Sequence, residues 1–268
     1  MISPTVYETV IPRDESARLR ADTYVSEALD EFSLRLAGNL FRRNYFIDIG
    51  CGENTGLERL VCGARATYAG FDCRTDLERQ TTLSEAGPVA VCNVRYLPSS
   101  RQVDFVHARN VIAHIDKRVR AGVISQLLQR IKRGGRLIVI DEDWSSVRGS
   151  DAVVGLRDIL LQEAVFFDAD YGRNMLERDV NSAIGVGRSE YFMLRREFET
   201  SCDYAPLLAL RPIIKAGFAM QDGPANQKEQ LIAEVDKLFG DIRAEARRKS
   251  PPGYRWPTAV GVVVRMMV

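Results

Sequence analysis

Residues 48–56 combine a carboxylate with closely spaced glycines at the end of an apolar run, a pattern that could bind a polar ligand. Gly50 and Gly52 allow positive φ and let a ligand approach the bare backbone. A helix is predicted from about Thr55, and the N–H groups at its start, with the positive end of the helix dipole, can bind a carboxylate or another anion. An ordinary tight turn between a strand and a helix would also explain the two glycines.

A second carboxylate, Asp72, ends the next apolar run and lies 20 residues after Gly52. A strand–helix–strand unit needs this separation to bring an acid beside a ribose, where its two oxygens accept hydrogen bonds from both hydroxyls. Asp72 could instead form a turn or cap a helix, although Asp76 nearby could do the same. The nicotinamide fingerprint G-x-G-x-x-G is excluded, because Thr55 stands where its third glycine would be. Another nucleotide cofactor is therefore favoured.

Two groups could act on a substrate. His114 is predicted at the start of a helix that follows a strand from Val103. An imidazole ionises near neutral pH and can accept a proton from a hydroxyl or an amine, whereas the alternative is that it packs or caps the helix. Asp143 or Glu142, with Trp144, could orient a cationic amine through ion pairing and a cation–π contact, and a solvated acidic loop is the alternative. We predict His114 and Asp143 as catalytic residues, and Asn110, Glu142, Trp144, Tyr171 and Arg173 as substrate-binding residues.

These residues are carried by segments that alternate between strand and helix patterns. Predicted strands cover residues 45–49, 66–72, 88–94, 136–141, 190–200 and 258–268, and another begins at 103. Predicted helices cover residues 14–37, 55–62, 119–132, 153–167, 204–217 and 227–248. In a doubly wound parallel sheet, ligands bind at the carboxyl ends of the strands. Asp48, Asp72, Asn93 and the segment 107–110 are therefore expected to converge on one crevice.

The composition indicates a globular protein and argues against several classes of partner. Of the 268 residues, 46% are hydrophobic, which is enough for a sizeable core. The 37 Lys and Arg balance 36 Asp and Glu, and no basic arm with interleaved aromatics is found, so no nucleic acid is expected as a partner.

The five cysteines lack C-x-x-C spacing and only two histidines are present, which argues against a zinc site and predicts reduced, mostly buried thiols. No apolar run approaches the roughly 18 residues that span a bilayer, and no signal core is found, so a cytoplasmic protein without membrane contact is predicted.

Taken in order, these motifs resemble those of class I S-adenosylmethionine (SAM) dependent methyltransferases, in the branch that acts on small molecules. The first motif of that family is an acidic residue followed by x-Gly-x-Gly-x-Gly, which Asp48, Gly50 and Gly52 match. Asn54 replaces the last glycine. Three further stretches are similar to family motifs: residues 93–98 to the end of its third strand with Leu-Pro, residues 107–114 to its His-Ala-Arg with a later His, and residues 128–141 to its Leu-Lys-Pro-Gly-Gly signature with Arg133 in place of proline.

The resemblance implies a fold and a set of cofactor contacts. The fold would be an α/β, Rossmann-like mixed sheet of seven strands, with the last strand antiparallel, helices on both faces and a helical substrate lid. The side chain at Asn93 would accept from the adenine amino group, and backbone around Ala108 and Arg109 would meet the methionine part of SAM. The implied cofactor-binding residues are Asp48, Gly50, Cys51, Gly52, Asp72, Cys73, Asn93, Val94, Ala108 and Arg109. A single domain over residues 1–268 is expected, with 1–40 as an N-terminal helical cap and 151–189 as an inserted helical lid; packing alone is the alternative role for the cap.

The function that follows from this resemblance is transfer of a methyl group from SAM to an oxygen or nitrogen atom of a small molecule, with a secondary metabolite among the candidate acceptors. Two alternatives stay open because Asn54 and Arg133 depart from the family pattern. One is a SAM-binding enzyme that catalyses a non-methylating reaction such as cyclisation, and the other is a non-catalytic partner subunit. The expected partner is a small-molecule acceptor, and the protein is expected to be a monomer or a homodimer.

Overall fold

Apolar runs rich in β-branched residues form strands in this chain, and amphipathic segments form helices between them. The computed structural model describes residues 23–40, 43–51, 55–72, 89–91, 102–163, 168, 171–184, 189–220 and 223–267. Its strands are β1 (Tyr45–Ile49), β2 (Thr67–Asp72), β3 (Val89–Val91), β4 (Val103–Arg109), β5 (Ile131–Asp143), β6 (Ser189–Arg196), β7 (Thr200–Ser201), β8 (Tyr254–Arg255) and β9 (Thr258–Met266). Its α-helices are α1 (Thr23–Ala37), α2 (Thr55–Gly63), α3 (Arg120–Gln129), α4 (Asp151–Glu163), α5 (Leu176–Ala183), α6 (Ala205–Met220) and α7 (Ala225–Ala246).

Seven of the strands form one mixed sheet, in the order β3-β2-β1-β4-β5-β9-β6. β1 pairs in parallel with β2 and with β4, and β4 pairs in parallel with β5. β9 pairs antiparallel with β6, from Ser189 opposite Met266 to Arg196 opposite Ala259. The predicted Rossmann-like sheet with an antiparallel last strand is therefore confirmed. The short strands β7 and β8 form a separate antiparallel pair that the sequence patterns did not predict.

The central strands are buried along almost their whole length, with a few polar residues among apolar ones. Residues 46–49 of β1 and 103–108 of β4 are all buried, which is typical of parallel strands covered on both faces. The ring of Phe46 stacks against Tyr68 of β2 and Phe105 of β4. This core holds the carboxyl ends of neighbouring strands in fixed register.

Several predicted element boundaries were wrong, and two of the differences have a clear cause in the sheet. The helix predicted over 119–132 ends at Gln129, because Ile131 pairs with Val103 and begins β5. Gly135 therefore lies within a strand, where a Cβ would come 2.5 Å from the backbone oxygen of Asp104. The glycine pair permits close approach of two strands and is not a helix stop. The strand predicted over 190–200 ends at Arg196, because the chain then leaves the large sheet to form β7.

The chain divides into two compact units. The larger unit, within residues 26–141, 171–196 and 259–268, contains the seven-stranded sheet with most of α1 and with α2, α3 and α5. The smaller unit, whose described residues lie within 23–25, 142–163 and 197–258 together with residue 168, contains α4, α6, α7 and the β7–β8 pair. The proposed lid, 151–189, is thus shared between the two units, and the single domain with a cap and a lid stays a prediction.

The helix α1 is fixed to the sheet within the larger unit. Arg136 of β5 donates from Nη1 to the carbonyl oxygens of Leu36 and Ala37, at 3.2 and 2.9 Å, which places a cation at the negative end of the helix. Gly261 of β9 leaves the space that Leu36 occupies, since a Cβ there would collide with the leucine side chain. None of the helices in the described ranges is long and apolar enough to cross a bilayer.

Candidate functional site

The turn after β1 is held tightly against β2. The backbone N–H groups of Gly50 and Cys51 both donate to the carbonyl oxygen of Phe71, at 2.6 and 3.3 Å. Gly50 has φ of 65°, in the left-handed region that glycine adopts readily, and a Cβ there would collide with Cγ2 of Val111. The turn therefore requires glycine at this position, both for its backbone conformation and for the close approach of the segment that follows β4. Gly52 lies outside the described residues.

Asp48 is buried in a hydrogen-bonded network immediately before this turn. Its Oδ2 accepts from the hydroxyl of Tyr68 at 2.7 Å, and its Oδ1 lies 2.7 Å from Nδ1 of His107. Burial, and then the nearby charge of Asp48, hold the pKa of Tyr68 well above its ordinary value, so the phenol remains a donor. The carboxylate of Asp48 is thus engaged by protein groups, and a direct contact with cofactor stays a prediction.

Asp72 is the last residue of β2 and is buried. In the parallel register Asp72 lies opposite Val91 of β3, while Asp48 of β1 lies opposite Gly70 of β2. Both carboxylates therefore lie toward the same end of neighbouring parallel strands, as the sequence predicted. Cys73, Asn93 and Val94 lie outside the described residues.

Substitution of Asp72 by asparagine is expected to weaken the binding of S-adenosylhomocysteine (SAH) about 10- to 100-fold, since hydrogen bonds to a charged group contribute about 1.5–3 kcal/mol. Isothermal calorimetry measures the change. The matched control is Asp104→Asn, which alters a buried carboxylate near the opposite end of the strands, where Oδ2 accepts from the backbone N–H of Tyr45 at 2.7 Å. Equal SAH affinity in Asp72→Asn and wild type would exclude ribose binding by Asp72.

The end of β4 is enclosed by β1, β5 and α1. Ala108 is fully buried between Ile49 and Val139 in the register of the sheet. The guanidinium of Arg109 pairs with Asp30 of α1 at 2.7 Å. Asn110 adopts a left-handed conformation with φ of 54°, and its N–H donates to the carbonyl oxygen of Ile140 at 2.8 Å. The side chain of Arg109 is thus engaged by α1, and the expected cofactor contact would use its backbone.

His114 ends a short 3₁₀ turn, Ile112–His114, and its side chain is half-buried. Arg120, the first residue of α3, holds this turn by donating to the carbonyl oxygens of Ala113 and Ile115, at 2.7 and 2.6 Å. The histidine is therefore carried by a rigid turn directly after β4. Such a turn suits a group that must be positioned for proton transfer.

Tyr171 packs beneath the same arginine. It is fully buried in a π-helical turn, Tyr171–Met175, and the guanidinium carbon of Arg120 lies 4.5 Å from the centre of its ring. Burial, followed by the charges of Asp141 and Asp179, raises the pKa of the Tyr171 phenol. The ring packs against Arg120 inside the protein, and its contact with substrate stays a prediction. The backbone of Arg173 lies in the same turn, and its side chain is outside the described set.

The acidic segment that ends β5 is buried and hydrogen-bonded, unlike a solvated loop. Oε1 of Glu142 accepts from the indole Nε1 of Trp256 at 3.1 Å, and the rings of Trp144 and Trp256 have centroids 5.7 Å apart. Oδ1 of Asp143 accepts from the backbone N–H of Ser145 at 3.1 Å and caps a 3₁₀ turn. These contacts give all three residues structural partners. Their proposed contact with a cationic substrate stays a prediction.

Sequence patterns missed the partners that hold these groups. Tyr68, Ser33, Arg120 and Trp256 had no assigned role. His107, expected with residues 108–110 to converge on the crevice, has its side chain buried between Asp48 and Ser33. The signals were weak because each partner lies in a segment whose apolar spacing already explained it as part of a helix or strand.

Cys51 is predicted to resist thiol reagents in the folded protein. Its side chain is 5% exposed, and burial, followed by the charges of Asp48 and Asp72, raises its thiol pKa, so little thiolate forms. Cys62 and Cys202 are free and exposed, so the expectation of mostly buried thiols is wrong for these two described cysteines. Iodoacetamide followed by peptide mass spectrometry should label these two first and Cys51 only after denaturation. Equal labelling rates at the three positions would contradict the buried turn.

Within the described parts of the chain, no group of three or more His, Cys, Asp or Glu side chains is placed to hold a metal ion. The side chains of the candidate site are instead hydrogen-bond acceptors and donors. This chemistry suits an organic ligand with hydroxyl and amino groups.

Comparison with known proteins gives one family match. A family model described as a methyltransferase domain matches residues 21–175, which is more than half of the 268 residues. No curated protein matches the sequence.

Several solved structures share the fold at low sequence identity. Phosphoethanolamine N-methyltransferase 2 of Haemonchus contortus, in complex with phosphomonomethylethanolamine and SAH, is 14% identical with a TM-score of 0.59, and the match covers 100% of this chain and 61% of that one. The plantazolicin methyltransferase BpumL, in complex with a triazolic desmethylPZN analogue and SAH, is 13% identical with a TM-score of 0.55, and the match covers 95% of this chain and 90% of that one. The 4+2 cyclase SpnF is 16% identical with a TM-score of 0.51, and the match covers 90% of this chain and 81% of that one. At these identities the likeness shows the fold alone.

Proposed function

Since the chain belongs to the methyltransferase domain family and is a SAM-dependent methyltransferase, we propose that it transfers the methyl group of SAM to an oxygen or nitrogen atom of a small-molecule acceptor. The observation that supports this most directly is the parallel register of β1, β2 and β4. It brings Asp48, Asp72 and Ala108 toward the carboxyl ends of these parallel strands, where this kind of fold binds its ligands.

The residues at this edge fit the cofactor. Asp72 offers a carboxylate that can accept hydrogen bonds from two ribose hydroxyls. Gly50 lets the turn pack against Val111, where a Cβ would collide with Cγ2. The backbone at Ala108 and Arg109 would hold the methionine part. For Gly52, Cys73, Asn93 and Val94 the proposed contacts rest on the resemblance alone.

When bound, SAM supplies an activated methyl group on a sulfonium, which is already a good leaving group. The main task of the chain is then to hold the acceptor in line with that methyl group, an effect that contributes up to about 7–11 kcal/mol. We propose that His114 accepts the proton of the acceptor hydroxyl or amine, because it is carried on the turn that Arg120 holds after β4. The proposed roles of Asp143 as a catalytic residue, and of Asn110, Glu142, Trp144, Tyr171 and Arg173 in binding the acceptor, rest on their order in the sequence.

A small acceptor is favoured by the absence of a basic excess in the composition, with 37 cationic and 36 anionic side chains. Two structural neighbours are named as methyltransferases of small molecules, phosphoethanolamine and plantazolicin, and this supports a small molecule, with natural products as one candidate class. We propose action in the cytoplasm, as a monomer or a homodimer, without nucleic acid or membrane as partner.

The test is incubation of the protein with methyl-labelled SAM and a panel of small hydroxyl and amine compounds, read by mass spectrometry. The expected result is label in at least one acceptor and formation of SAH. Heat-denatured protein serves as the control.

Two other results would redirect the proposal. SAH binding without any label transfer would favour a non-methylating reaction, for which the cyclase of the same fold supplies a reason, because fold does not determine reaction. Failure to bind SAH would favour a non-catalytic partner subunit.

A further inference from the structure

A continuous chain of buried hydrogen bonds joins three strands of the large sheet to α1. Tyr68 of β2 donates to Asp48 of β1, Asp48 pairs with Nδ1 of His107 of β4, and Nε2 of His107 lies 3.0 Å from Oγ of Ser33 on α1. All four side chains are buried, with no more than 2% of any residue exposed. The chain ends at the carbonyl oxygen of Leu29, to which Ser33 donates at 2.8 Å.

The hydrogen bonds at the two ends determine where the protons are. The single hydroxyl hydrogen of Ser33 is used on Leu29, so Ser33 can only accept from His107, and Nε2 must carry a hydrogen. At the other end, Tyr68 donates to one oxygen of Asp48, and the remaining bond between Asp48 and Nδ1 also needs a hydrogen. That hydrogen lies between Asp48 and Nδ1, so the two side chains hold one proton between them. The geometry points to His107 and Asp48 as one hydrogen-bonded unit that Nε2 anchors on Ser33.

A second contact between α1 and β4 runs parallel to the first. Asp30 of α1 pairs with Arg109 of β4 at 2.7 Å. Asp30 and Ser33 are three residues apart and share one face of the helix, while His107 and Arg109 are two apart and share one face of the strand. The two contacts therefore fasten one face of α1 to the end of β4, beside Ala108.

We propose that His107 and Ser33 are positioning residues for the cofactor site, a role that rests on the proposed function. Asp48 comes two residues before Gly50, and His107 comes directly before Ala108. The hydrogen bond between them fixes the glycine turn relative to the backbone at 108–109, and Ser33 fixes this hydrogen-bonded pair to α1. Cofactor affinity therefore depends on a helix side chain that does not itself contact the ligand.

The alternative is that the network only stabilises the fold. A structural role predicts that its loss lowers the melting temperature but leaves SAH affinity unchanged in the folded protein. A positioning role predicts that affinity changes as well.

The first measurement is the long-range ¹⁵N–¹H spectrum of the imidazole rings at neutral pH. The chain has two histidines, so the variant His114→Gln leaves only the signals of His107. We expect Nε2 of His107 to carry a hydrogen in wild type, because the hydroxyl of Ser33 donates to Leu29. An unprotonated Nε2 would overturn the assignment.

The second measurement is the SAH dissociation constant of Ser33→Ala by calorimetry, at a temperature where melting curves show the variant folded. We expect the constant to rise by up to about tenfold, in line with loss of a buried hydrogen bond. Ser33→Thr keeps the hydroxyl and should restore the affinity. Ser182→Ala is the matched control, since Ser182 makes the same bond to the carbonyl four residues earlier, at 2.9 Å from Arg178, but is exposed.

The outcomes separate this inference from the proposed function. An unchanged SAH affinity in Ser33→Ala, with wild type binding normally, would overturn the positioning role alone. A wild-type protein that does not bind SAH would overturn both. If Ser33→Ala does not fold, Ser33→Cys replaces it, because cysteine keeps the side-chain volume but is a weaker acceptor. A lower SAH affinity in folded Ser33→Cys would support the positioning role, and a lower melting temperature alone would contradict it.

Discussion

Replacing Gly50 by alanine is expected to cost about 2–5 kcal/mol, in folding free energy or in cofactor affinity. Two physical effects add. A non-glycine residue at φ of 65° costs roughly 1–2 kcal/mol, and a methyl group forced against Cγ2 of Val111 costs about 1–3 kcal/mol as overpacking. Denaturant unfolding measures the loss of folding free energy, and SAH calorimetry measures the loss of cofactor affinity. Both are needed, because strain that does not unfold the protein distorts the turn and weakens SAH binding.

Two further variants separate the causes. Gly122→Ala in α3 is the control, since a Cβ there meets nothing within 4 Å and the helix should gain roughly 0.5–1 kcal/mol. Adding Val111→Ala to Gly50→Ala removes the collision and should recover part of the loss, while the backbone penalty remains. If Gly50→Ala behaved like Gly122→Ala, the turn would not have the conformation described.

Substitution of His114 by glutamine is expected to lower kcat about 10²- to 10⁴-fold, the usual contribution of a positioned general base. Glutamine keeps a polar side chain but cannot take up the proton. SAH affinity should remain at the wild-type level, because the turn Ile112–His114 is held by Arg120 through the carbonyl groups of Ala113 and Ile115. Single-turnover transfer of labelled methyl, with SAH affinity measured in parallel, provides the readout.

The result would also indicate the kind of acceptor. Full activity in His114→Gln would mean that the acceptor reaches the site with its nucleophile already deprotonated, so that positioning of the reactants supplies the catalysis. A parallel fall in SAH affinity would instead assign His114 to holding the cofactor site. Arg120→Lys offers a comparison, since lysine keeps the charge but loses the planar set of donors that binds two carbonyl oxygens.

Local patterns in the sequence were sufficient to predict the strands that form the site. β1 spans the predicted residues 45–49, and Asp72 ends β2 as expected. These features depend on neighbouring residues, because strand periodicity, glycine turns and helix starts are set within a few positions of the chain. The order of the motifs then identified the family.

The buried carboxylates show where local patterns were insufficient. Asp48 and Glu142 both looked available to a ligand, yet Asp48 pairs with His107, 59 residues away, and Glu142 accepts from Trp256, 114 residues away. Their burial and their partners were decided by packing between distant segments, which no local spacing encodes.

The sequence by itself thus determined the strands at the site and the glycine turn, because each of these follows from residues close together in the chain. The order of its motifs indicated the class of ligand. Only the tertiary structure decided which polar groups are already satisfied inside the protein, how far β5 extends, and that the chain divides into two units. The physical reason is that a buried polar group must find a hydrogen-bond partner wherever packing brings one, and that partner can come from any part of the chain.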